Sequence, residues 1–325
     1  MISTPRARKN NYVGRFAPSP TGALHLGSLA AALASYLDAK SHNGRWLVRI
    51  EDIDPPRDIP GADKDILQSL IEHGLRWDNE VIYQSNRISA YKKAFDHLHK
   101  RDLIYECDCT RRRLRTIDRE YDNLCRQPTT EHDGFISAQG QPAGSQKAMP
   151  AYRFNLERAR RCNHSDLKGA SSNETPLIQD RLVVNRPDTY YNDDIVVKRK
   201  DGLFAYNLAV VVDDIDSKIT DIVRGDDLLT MSSRQGILAA TLGGIPARTL
   251  HIPVLCDAYG AKLSKQHGAP AIDDRKPVEN ILDVAQKLEL ISSDEEVNLK
   301  KHSIERILIY LTERWSHFLA ARCNG

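Results

Sequence analysis

The sequence lacks a long hydrophobic run and a strong excess of either charge. No stretch of about 18 consecutive apolar residues occurs, which excludes a membrane-spanning helix. The 46 lysines and arginines are nearly balanced by 44 aspartates and glutamates, so the net charge of +2 neither requires nor excludes a nucleic-acid partner. No apolar run follows the basic tail at 1–11, so we expect no secretory signal and a cytoplasmic location.

Cysteine is also scarce, with six residues in a chain of 325. In a chain without a secretory signal, this number favours metal binding or free thiols over a disulfide framework. The hydrophobic content of 41% is sufficient for a buried core, and the length suits two domains or one large domain with insertions.

The stretch from Arg15 to Ser28 predicts a strand, a turn bounded by proline and glycine, and the start of a helix. Tyr12 and Phe16 supply apolar strand positions, and Ser28 is expected to cap a helix over Leu29 to Lys40. Free backbone N–H groups at the start of that helix would point at the turn and suit a nucleotide phosphate.

A second short apolar run, Trp46 to Ile50, is typical of a buried parallel strand, and Glu51 follows at its carboxyl end. Ligands bind at that end in open α/β sheets, so Glu51 is expected to face the same crevice as Arg15. A solvated acidic loop is the alternative. Helices near 62–73 and 88–100 complete a strand–helix alternation that predicts a doubly wound parallel sheet.

Three cysteines, Cys107, Cys109 and Cys125, are close enough in sequence to form a tetrahedral zinc site that lacks one ligand. The commoner choices for the fourth ligand are Asp118, Asp122, His132 or a water molecule. Three buried thiols without metal are the alternative. The arginines at 111–113 and 115 would either face solvent or contact an RNA backbone.

The second half of the chain alternates further strand and helix patterns. Residues 128–150 are rich in Gln, Gly, Ser, Thr and Pro and are expected to form a mobile surface insertion. Strands are expected at 151–156, 177–184, 194–200 and 251–255, with a tight turn at 201–202, a buried apolar segment at 208–212, and helices at 232–242, 278–288 and 304–321. The last helix carries one apolar face, made of Ile307, Leu308, Leu311, Trp315 and Leu319.

A lysine-rich segment from Ala261 to Gln266 follows the last predicted strand. Lys262 and Lys265, on a loop that begins at Gly260, suit the triphosphate of ATP and the pyrophosphate that leaves. Taken alone, such a loop is most often solvated surface.

Together, these segments resemble the class I glutamyl-tRNA synthetases. The tetrad from His25 to Ser28 is similar to their HIGH motif, with Ser28 instead of the second histidine, and residues 261–266 are similar to their KMSKS loop, with Leu263 and Gln266 as departures. Residues 45–54 match a further block of the family. The resemblance implies a Rossmann-like doubly wound α/β fold with an inserted zinc-binding, acceptor-type subdomain and a short helical C-terminal region.

The resemblance also implies roles for individual residues. Catalysis would depend on His25, Lys262 and Lys265. ATP would be bound by His25, Gly27, Ser28 and Lys265. Glutamate would be bound by Arg15, Phe16, Ala17, Pro18, Ser19, Glu51, Tyr206 and Arg224. One structural zinc ion would be bound by Cys107, Cys109, Tyr121 and Cys125.

The domain organisation follows from the same resemblance. We expect a tail at 1–11, two catalytic halves at 12–103 and 201–270, an inserted subdomain at 104–200, and a helical region at 271–325. This last region is too short for the usual anticodon-binding domain, which indicates the truncated branch of the family.

By resemblance to that branch, the chain is a monomeric ligase that activates L-glutamate with ATP and Mg²⁺ and transfers it to the queuosine base of tRNA(Asp). Three alternatives remain open at this point. They are a conventional synthetase core that charges tRNA(Glu), a non-catalytic zinc-stabilised RNA-binding module, and an adenylyl-transfer enzyme that acts on a small acceptor.

Overall fold

The computed structural model describes residues 12–116, 121–126, 149–166, 180–181, 193–256, 262–263 and 269–323. The predictions for the N-terminal tail, for nearly all of the 128–150 insertion and for Lys265 lie outside these residues. Within these residues, no helix has both the length and the apolar character needed to cross a membrane.

A parallel sheet forms the centre of the fold. On one side, strand β1 (Val13–Phe16) pairs with β2 (Arg45–Ile50), and β2 pairs with β3 (Ile82–Tyr83). On the other side lie β7 (Asp221–Gly225) and β8 (Arg248–Ile252), which are also parallel. The backbone N–H of Thr220 donates to the carbonyl of Val13 at 2.9 Å, which brings β7 beside β1. The connection after β1 leads to β2 on one side, and the connection after β7 leads to β8 on the other side, so the predicted doubly wound α/β class is confirmed.

Helices cover this sheet, and the C-terminal helices pack on the first one. Helices α1 (Leu26–Ser41), α2 (Ala62–Glu72), α8 (Pro277–Lys287), α9 (Ser293–Leu299) and α10 (Ile304–Cys323) share one apolar core with the strands, and α6 (Tyr206–Asp216) and α7 (Leu229–Thr241) contribute no buried residue to that core. The predicted apolar face of α10 is confirmed, since all five of its residues are buried. Trp315 also donates its indole N–H to buried Asp38 of α1 at 3.0 Å, which fixes α10 against α1.

An antiparallel sheet is inserted between the two halves of the parallel sheet. It consists of β4 (Ile104–Cys107), β5 (Ala151–Phe154) and β6 (Ile195–Lys198). Helices α3 (Ile88–Lys100), α4 (Arg111–Thr116) and α5 (Leu156–Asp166) flank it. Apolar side chains of α3, β5, α6 and α7 share a second core. The tight turn predicted after β6 is confirmed, and Gly202 adopts φ 87° there, a conformation that favours glycine.

Several predicted boundaries are wrong by a few residues, and each error has a local cause. Helix α1 begins at Leu26, because His25 and not Ser28 is its N-cap. Strand β5 ends at Phe154, because Asn155 accepts from the N–H of Arg158 and starts α5, a helix that the sequence did not predict. Strand β8 ends at Ile252, since Pro253 follows and has no backbone N–H to donate.

Candidate active site and metal site

A cleft of about 490 Å³ opens beside the ends of β1 and β7, the neighbouring strands that the chain leaves in opposite directions. The turn after β1, the first turns of α1, and the segments after β7 and β8 line it. Its wall includes Phe16, Ala17, Pro18, Ser19, His25, Gly27, Ser28, Lys262 and Leu263. No acidic residue lies in the first turn of α1, so the positive end of the helix dipole faces this cleft.

His25 and Ser28 form a reciprocal cap at the start of α1. The N–H of Ser28 donates to Nδ1 of His25 at 3.3 Å, and the N–H of His25 donates to Oγ of Ser28 at 2.9 Å. The hydroxyl of Ser28 donates to the carbonyl of His25 at 2.7 Å. The serine at the position of the second HIGH histidine therefore fixes the backbone of the turn, and its hydroxyl is engaged there.

Gly27 allows the lysine-rich segment to approach α1. A Cβ atom at this position would lie 2.9 Å from the carbonyl oxygen of Leu263 and 3.1 Å from the ring of His25. We therefore expect Gly27→Ala to displace the segment that carries Lys262 and to lower kcat/KM for ATP by roughly tenfold to a hundredfold. Pyrophosphate exchange measures this effect. Ala23→Ser, at an exposed position of the same turn, is the control, and equal activity of both variants would contradict the expectation.

Lys262 and Leu263 are the residues of the KMSKS-like segment that the structure describes. The ammonium group of Lys262 forms an ion pair with Asp227, which follows β7 and also lines the cleft. Lys265 lies outside the described residues.

Arg224 of β7 is buried, and its hydrogen-bond partners among the described residues include a histidine, a glutamine and a serine. It donates to Oγ of Ser232 at 2.7 Å, to Oε1 of Gln235 at 2.8 Å and to Nε2 of His251 at 3.3 Å. Among the described residues, no carboxylate forms an ion pair with Arg224. Burial lowers the pKa of this guanidinium, but arginine stays charged in proteins. A buried cation without a counter-ion is suited to a carboxylate ligand.

Arg15 and Glu51 lie near Arg224 in a charged group between β1, β2 and α6. Asp214 accepts from Nε of Arg15 at 3.4 Å and from Nη1 of Arg49 at 2.6 Å. Arg49 also donates to Glu51 at 3.2 Å. Burial raises the pKa of the Glu51 carboxyl, and the charges of Arg49 and Arg15 act in the opposite direction.

Tyr206, at the start of α6, faces the same charges. Burial and then the charge of Glu51 raise the pKa of its phenol, while Arg224 and Arg15 lower it. The structure thus brings together Arg15, Glu51, Tyr206 and Arg224, four of the five polar residues that the resemblance assigns to glutamate. The turn residues at 16–19 line the adjoining cleft, and the N–H of Glu51 donates to the carbonyl of Pro18 at 2.9 Å.

Sequence reasoning missed the residues that support this group. Asp213 accepts from Gln84 at 2.7 Å and from Tyr91 at 2.8 Å, and it also pairs with Arg87. The available signals were an arginine inside the apolar run of β2 and two aspartates at the end of an apolar segment. A charge in an apolar run indicates a buried ion pair, but the sequence does not name its partner.

The predicted zinc residues converge beside β4. The Sγ atoms of Cys107, Cys109 and Cys125 all lie within 4.8 Å of one another, and those of Cys109 and Cys125 are 3.5 Å apart. The phenol oxygen of Tyr121 lies 3.7 Å from Sγ of Cys107. Tetrahedral zinc with Zn–S bonds of about 2.3 Å requires sulfur–sulfur separations of about 3.8 Å, so three thiolates and a phenol oxygen fit a single metal ion.

Arginines adjoin these thiols. Nη1 of Arg113 donates to Sγ of Cys109 at 3.0 Å, and Nε of Arg153 donates to Sγ of Cys107 at 3.3 Å. A hydrogen bond from Cys109, followed by the one from Arg153, lowers the pKa of the Cys107 thiol. The bond from Arg153 favours the thiolate form of Cys107, which is the form that binds a metal ion, while the hydrogen bond with Cys107 raises the pKa of the Cys109 thiol.

The amino-acid sequence matches known proteins over almost its whole length. The family model of the catalytic domain of class I tRNA synthetases (E and Q) matches residues 12–280. The glutamyl-Q tRNA(Asp) synthetase of Idiomarina loihiensis is 40% identical over 304 residues, which cover 94% of this chain and 96% of that protein. The protein of the same name from Escherichia coli is 41% identical over 306 residues, which cover 94% of this chain and 89% of that protein.

The fold matches solved structures of longer proteins. The glutamate-tRNA synthetase of Elizabethkingia anophelis superposes with a TM-score of 0.59 and 26% identity over 79% of this chain, which spans about half of that protein, 53%. A glutamate tRNA ligase from Elizabethkingia meningosepticum, solved with its amino acid, gives a TM-score of 0.61 and 24% identity, covering 90% of this chain and 65% of that one. The resemblance drawn from the sequence motifs is confirmed: the chain belongs to the class I glutamyl- and glutaminyl-tRNA synthetases, a family of ligases that form carbon–oxygen bonds, and within it to the glutamyl-Q tRNA(Asp) synthetases.

Proposed function

We propose that this chain activates L-glutamate with ATP to glutamyl-adenylate and transfers the glutamyl group to the queuosine base in the anticodon loop of tRNA(Asp). The names of the relatives support the substrates. The observation that carries the proposal is the buried guanidinium of Arg224, which forms no ion pair with a described carboxylate and interacts with the charge of Arg15. The next residue in the chain, Gly225, lines the cleft of about 490 Å³. A free amino acid with two carboxylates fits this arrangement.

The proposed glutamate site offers positive groups to the two carboxylates of the substrate and a negative group to its ammonium group. Arg224 and Arg15 bind carboxylate groups, and the carboxylate of Glu51 binds the ammonium group. Tyr206 and the turn residues Phe16, Ala17, Pro18 and Ser19 form the walls. Glutamine would be rejected because its amide leaves a buried guanidinium without a counter-charge.

The proposed reaction needs no nucleophile from the protein. The α-carboxylate of glutamate attacks the α-phosphate of ATP, which enters as its Mg²⁺ complex, and pyrophosphate leaves. The N–H groups of α1, His25, Lys262 and Lys265 stabilise the charge that develops on the phosphates, and Gly27 and Ser28 hold the turn against the nucleotide. Catalysis is then positioning and charge stabilisation.

The inserted subdomain is proposed to contain a structural zinc site. A structural zinc ion is held by Cys107, Cys109, Tyr121 and Cys125, and the subdomain spans 104–200 between catalytic halves at 12–103 and 201–270. The three thiols within reach of one another and the arginines beside them support this assignment. The chain acts as a monomer, which light scattering of the purified protein would test.

Two assays test the proposed function in sequence. We expect glutamate-dependent exchange of pyrophosphate into ATP without any RNA, because the glutamate and ATP sites lie within one chain. We then expect glutamate to appear on queuosine-containing tRNA(Asp), but not on tRNA(Asp) with unmodified guanosine or on tRNA(Glu). Absence of exchange would contradict the activation step, and transfer to tRNA(Glu) alone would contradict the proposed acceptor.

A further inference from the structure

A continuous line of buried side chains connects Arg224 to Asp180. Nε2 of His251 lies 3.3 Å from Nε of Arg224 and 3.1 Å from Oγ of Ser232. The other ring nitrogen, Nδ1, forms a hydrogen bond with the carboxylate of Asp180. The hydroxyl of Thr249 donates to the same carboxylate at 3.0 Å. His251 and Ser232 are each about 95% buried.

These contacts determine the tautomer of His251. An ionised carboxylate can only accept, so Nδ1 carries the proton and donates it to Asp180. Nε2 is then an acceptor, which matches the N–H of Arg224 and the hydroxyl of Ser232 that point at it. With the opposite tautomer, two N–H groups would face each other between His251 and Arg224.

Asp180 is itself fixed in the sheet. It forms a parallel bridge with Thr249 of β8, and the N–H of Arg181 donates to the carbonyl of Thr249 at 2.8 Å. Arg181 also pairs with Asp38 of α1 and lies 3.8 Å from Asp221 of β7. The carboxylate that orients His251 therefore has a defined position relative to β8.

Ser232, His251 and Asp180 have the order of a hydrolytic triad, but their contacts indicate another use. Nη2 of Arg224 donates to Oγ of Ser232 at 2.7 Å, so the hydroxyl oxygen is engaged by a cation. A serine nucleophile needs an exposed oxygen and a site for the reacting carbonyl. Here the hydrogen bonds from Asp180 through His251, and from Ser232, lead to Arg224, and their effect is to hold its guanidinium in one orientation.

We propose that Asp180 and His251 are positioning residues for Arg224: Asp180 fixes the tautomer of His251, and His251 fixes the rotamer in which Arg224 meets a carboxylate of the substrate. This inference rests on the proposed function, because it takes glutamate as the ligand of Arg224. It assigns to two residues, which do not touch the substrate, a part in the choice of glutamate over glutamine.

The test uses pyrophosphate exchange by the full chain, with glutamate and glutamine as separate substrates. His251→Leu removes the acceptor, and we expect KM for glutamate to rise by roughly tenfold to a hundredfold while kcat stays within about threefold. His251→Gln keeps an acceptor near Nε2, and KM should return to within about threefold of the unsubstituted chain. Asp180→Asn is nearly isosteric, but its amide can donate to Nδ1 and favour the wrong tautomer, so KM should rise as in His251→Leu.

A matched control is His73, a fully buried histidine of another region that hydrogen-bonds to Ser69 and Asn280. His73→Leu should lower stability without changing KM. His251→Leu and Asp180→Asn should also lower the preference for glutamate over glutamine as KM for glutamate rises, whereas His251→Gln should keep both close to those of the unsubstituted chain.

The outcomes separate the two levels of the proposal. Absence of exchange in the unsubstituted chain would overturn the proposed function and this inference together. Normal exchange with an unchanged KM in Asp180→Asn or in folded His251→Leu would overturn the inference alone. Equal damage in His251→Gln and His251→Leu would overturn it as well, since a merely structural histidine would not discriminate between the two by acceptor position.

Discussion

Arg224→Met is expected to raise KM for glutamate in pyrophosphate exchange by at least about a hundredfold, while kcat at saturating glutamate stays within about tenfold. Arg224 is a buried cation that forms no ion pair with a described carboxylate. A hydrogen bond to a charged group contributes about 1.5–3 kcal/mol, and a guanidinium can form two such bonds to one carboxylate. Loss of the pair therefore corresponds to about two orders of magnitude in affinity.

Two further variants sharpen this expectation. Arg224→Lys keeps the charge but provides a single flexible ammonium group, so it should recover only part of the affinity. Arg248→Gln is the matched control, because Arg248 lies on neighbouring β8, is partly exposed and pairs with Asp221. An unchanged glutamate KM in Arg224→Met, or an equal rise in Arg248→Gln, would show that Arg224 does not bind the substrate.

The sequence predicted the elements that local patterns determine. The proline- and glycine-bounded turn after Phe16, the apolar run of β2 and the apolar face of α10 each specify one element without reference to distant residues. The parallel sheet followed from their alternation. The position of the cleft followed in turn, because ligands in such sheets bind where the chain leaves neighbouring strands in opposite directions.

The sequence did not predict the pairings that hold the candidate site together. Arg49 meets Asp214, and Arg224 meets His251 and Gln235, across separations that no local pattern encodes. Each residue type suits several partners, and only the register of the strands selects one. The same limit explains why the support of Arg224 by Asp180 was not visible in the sequence.

The cap of α1 shows a related limit within one turn of chain. A serine at an expected helix start predicts a serine cap. In the structure, the ring of His25 accepts the N–H that a cap must satisfy, and Ser28 returns the contact from inside the helix. The error of three residues in the helix start arises because an imidazole can take the place of the usual hydroxyl.

The purified chain is expected to hold about one zinc ion, and Cys107→Ser is expected to lose most of it. Three thiols and the phenol of Tyr121 are already close to tetrahedral spacing, and two arginines donate hydrogen bonds to the sulfur atoms of Cys109 and Cys107. Elemental analysis of protein purified without added metal measures the content. Thermal unfolding should move to lower temperature by about 5 °C or more, because a structural zinc ion stabilises the fold directly.

Two cysteines outside the cluster provide matched controls. Cys162→Ser and Cys256→Ser remove a thiol from α5 and from the segment after β8, and neither should change the zinc content. Tyr121→Phe removes only the phenol oxygen and tests the fourth ligand, so it should weaken zinc retention against a chelator without abolishing binding. Full occupancy in Cys107→Ser, or equal losses in the two controls, would contradict the assignment.

Loss of the metal should impair transfer to RNA more than activation of glutamate, because the contacts that hold the antiparallel sheet together do not depend on the thiols. Segment 121–126 is attached to the antiparallel sheet through Arg126, whose guanidinium pairs with buried Asp194. Asp194 also accepts from Tyr105 at 2.7 Å and from the N–H of Leu156 at 2.9 Å. These bonds do not involve the thiols. We therefore expect β4 and β5 to keep their pairing without zinc and the second core to stay packed.

The proposed glutamate pocket lies on β1, β2, β7 and α6, none of which contributes a proposed zinc ligand. Exchange by Cys107→Ser should therefore stay within about threefold of the unsubstituted chain, while glutamylation of tRNA falls by at least about tenfold. Equal losses in both assays would mean that the metal supports the catalytic half as well.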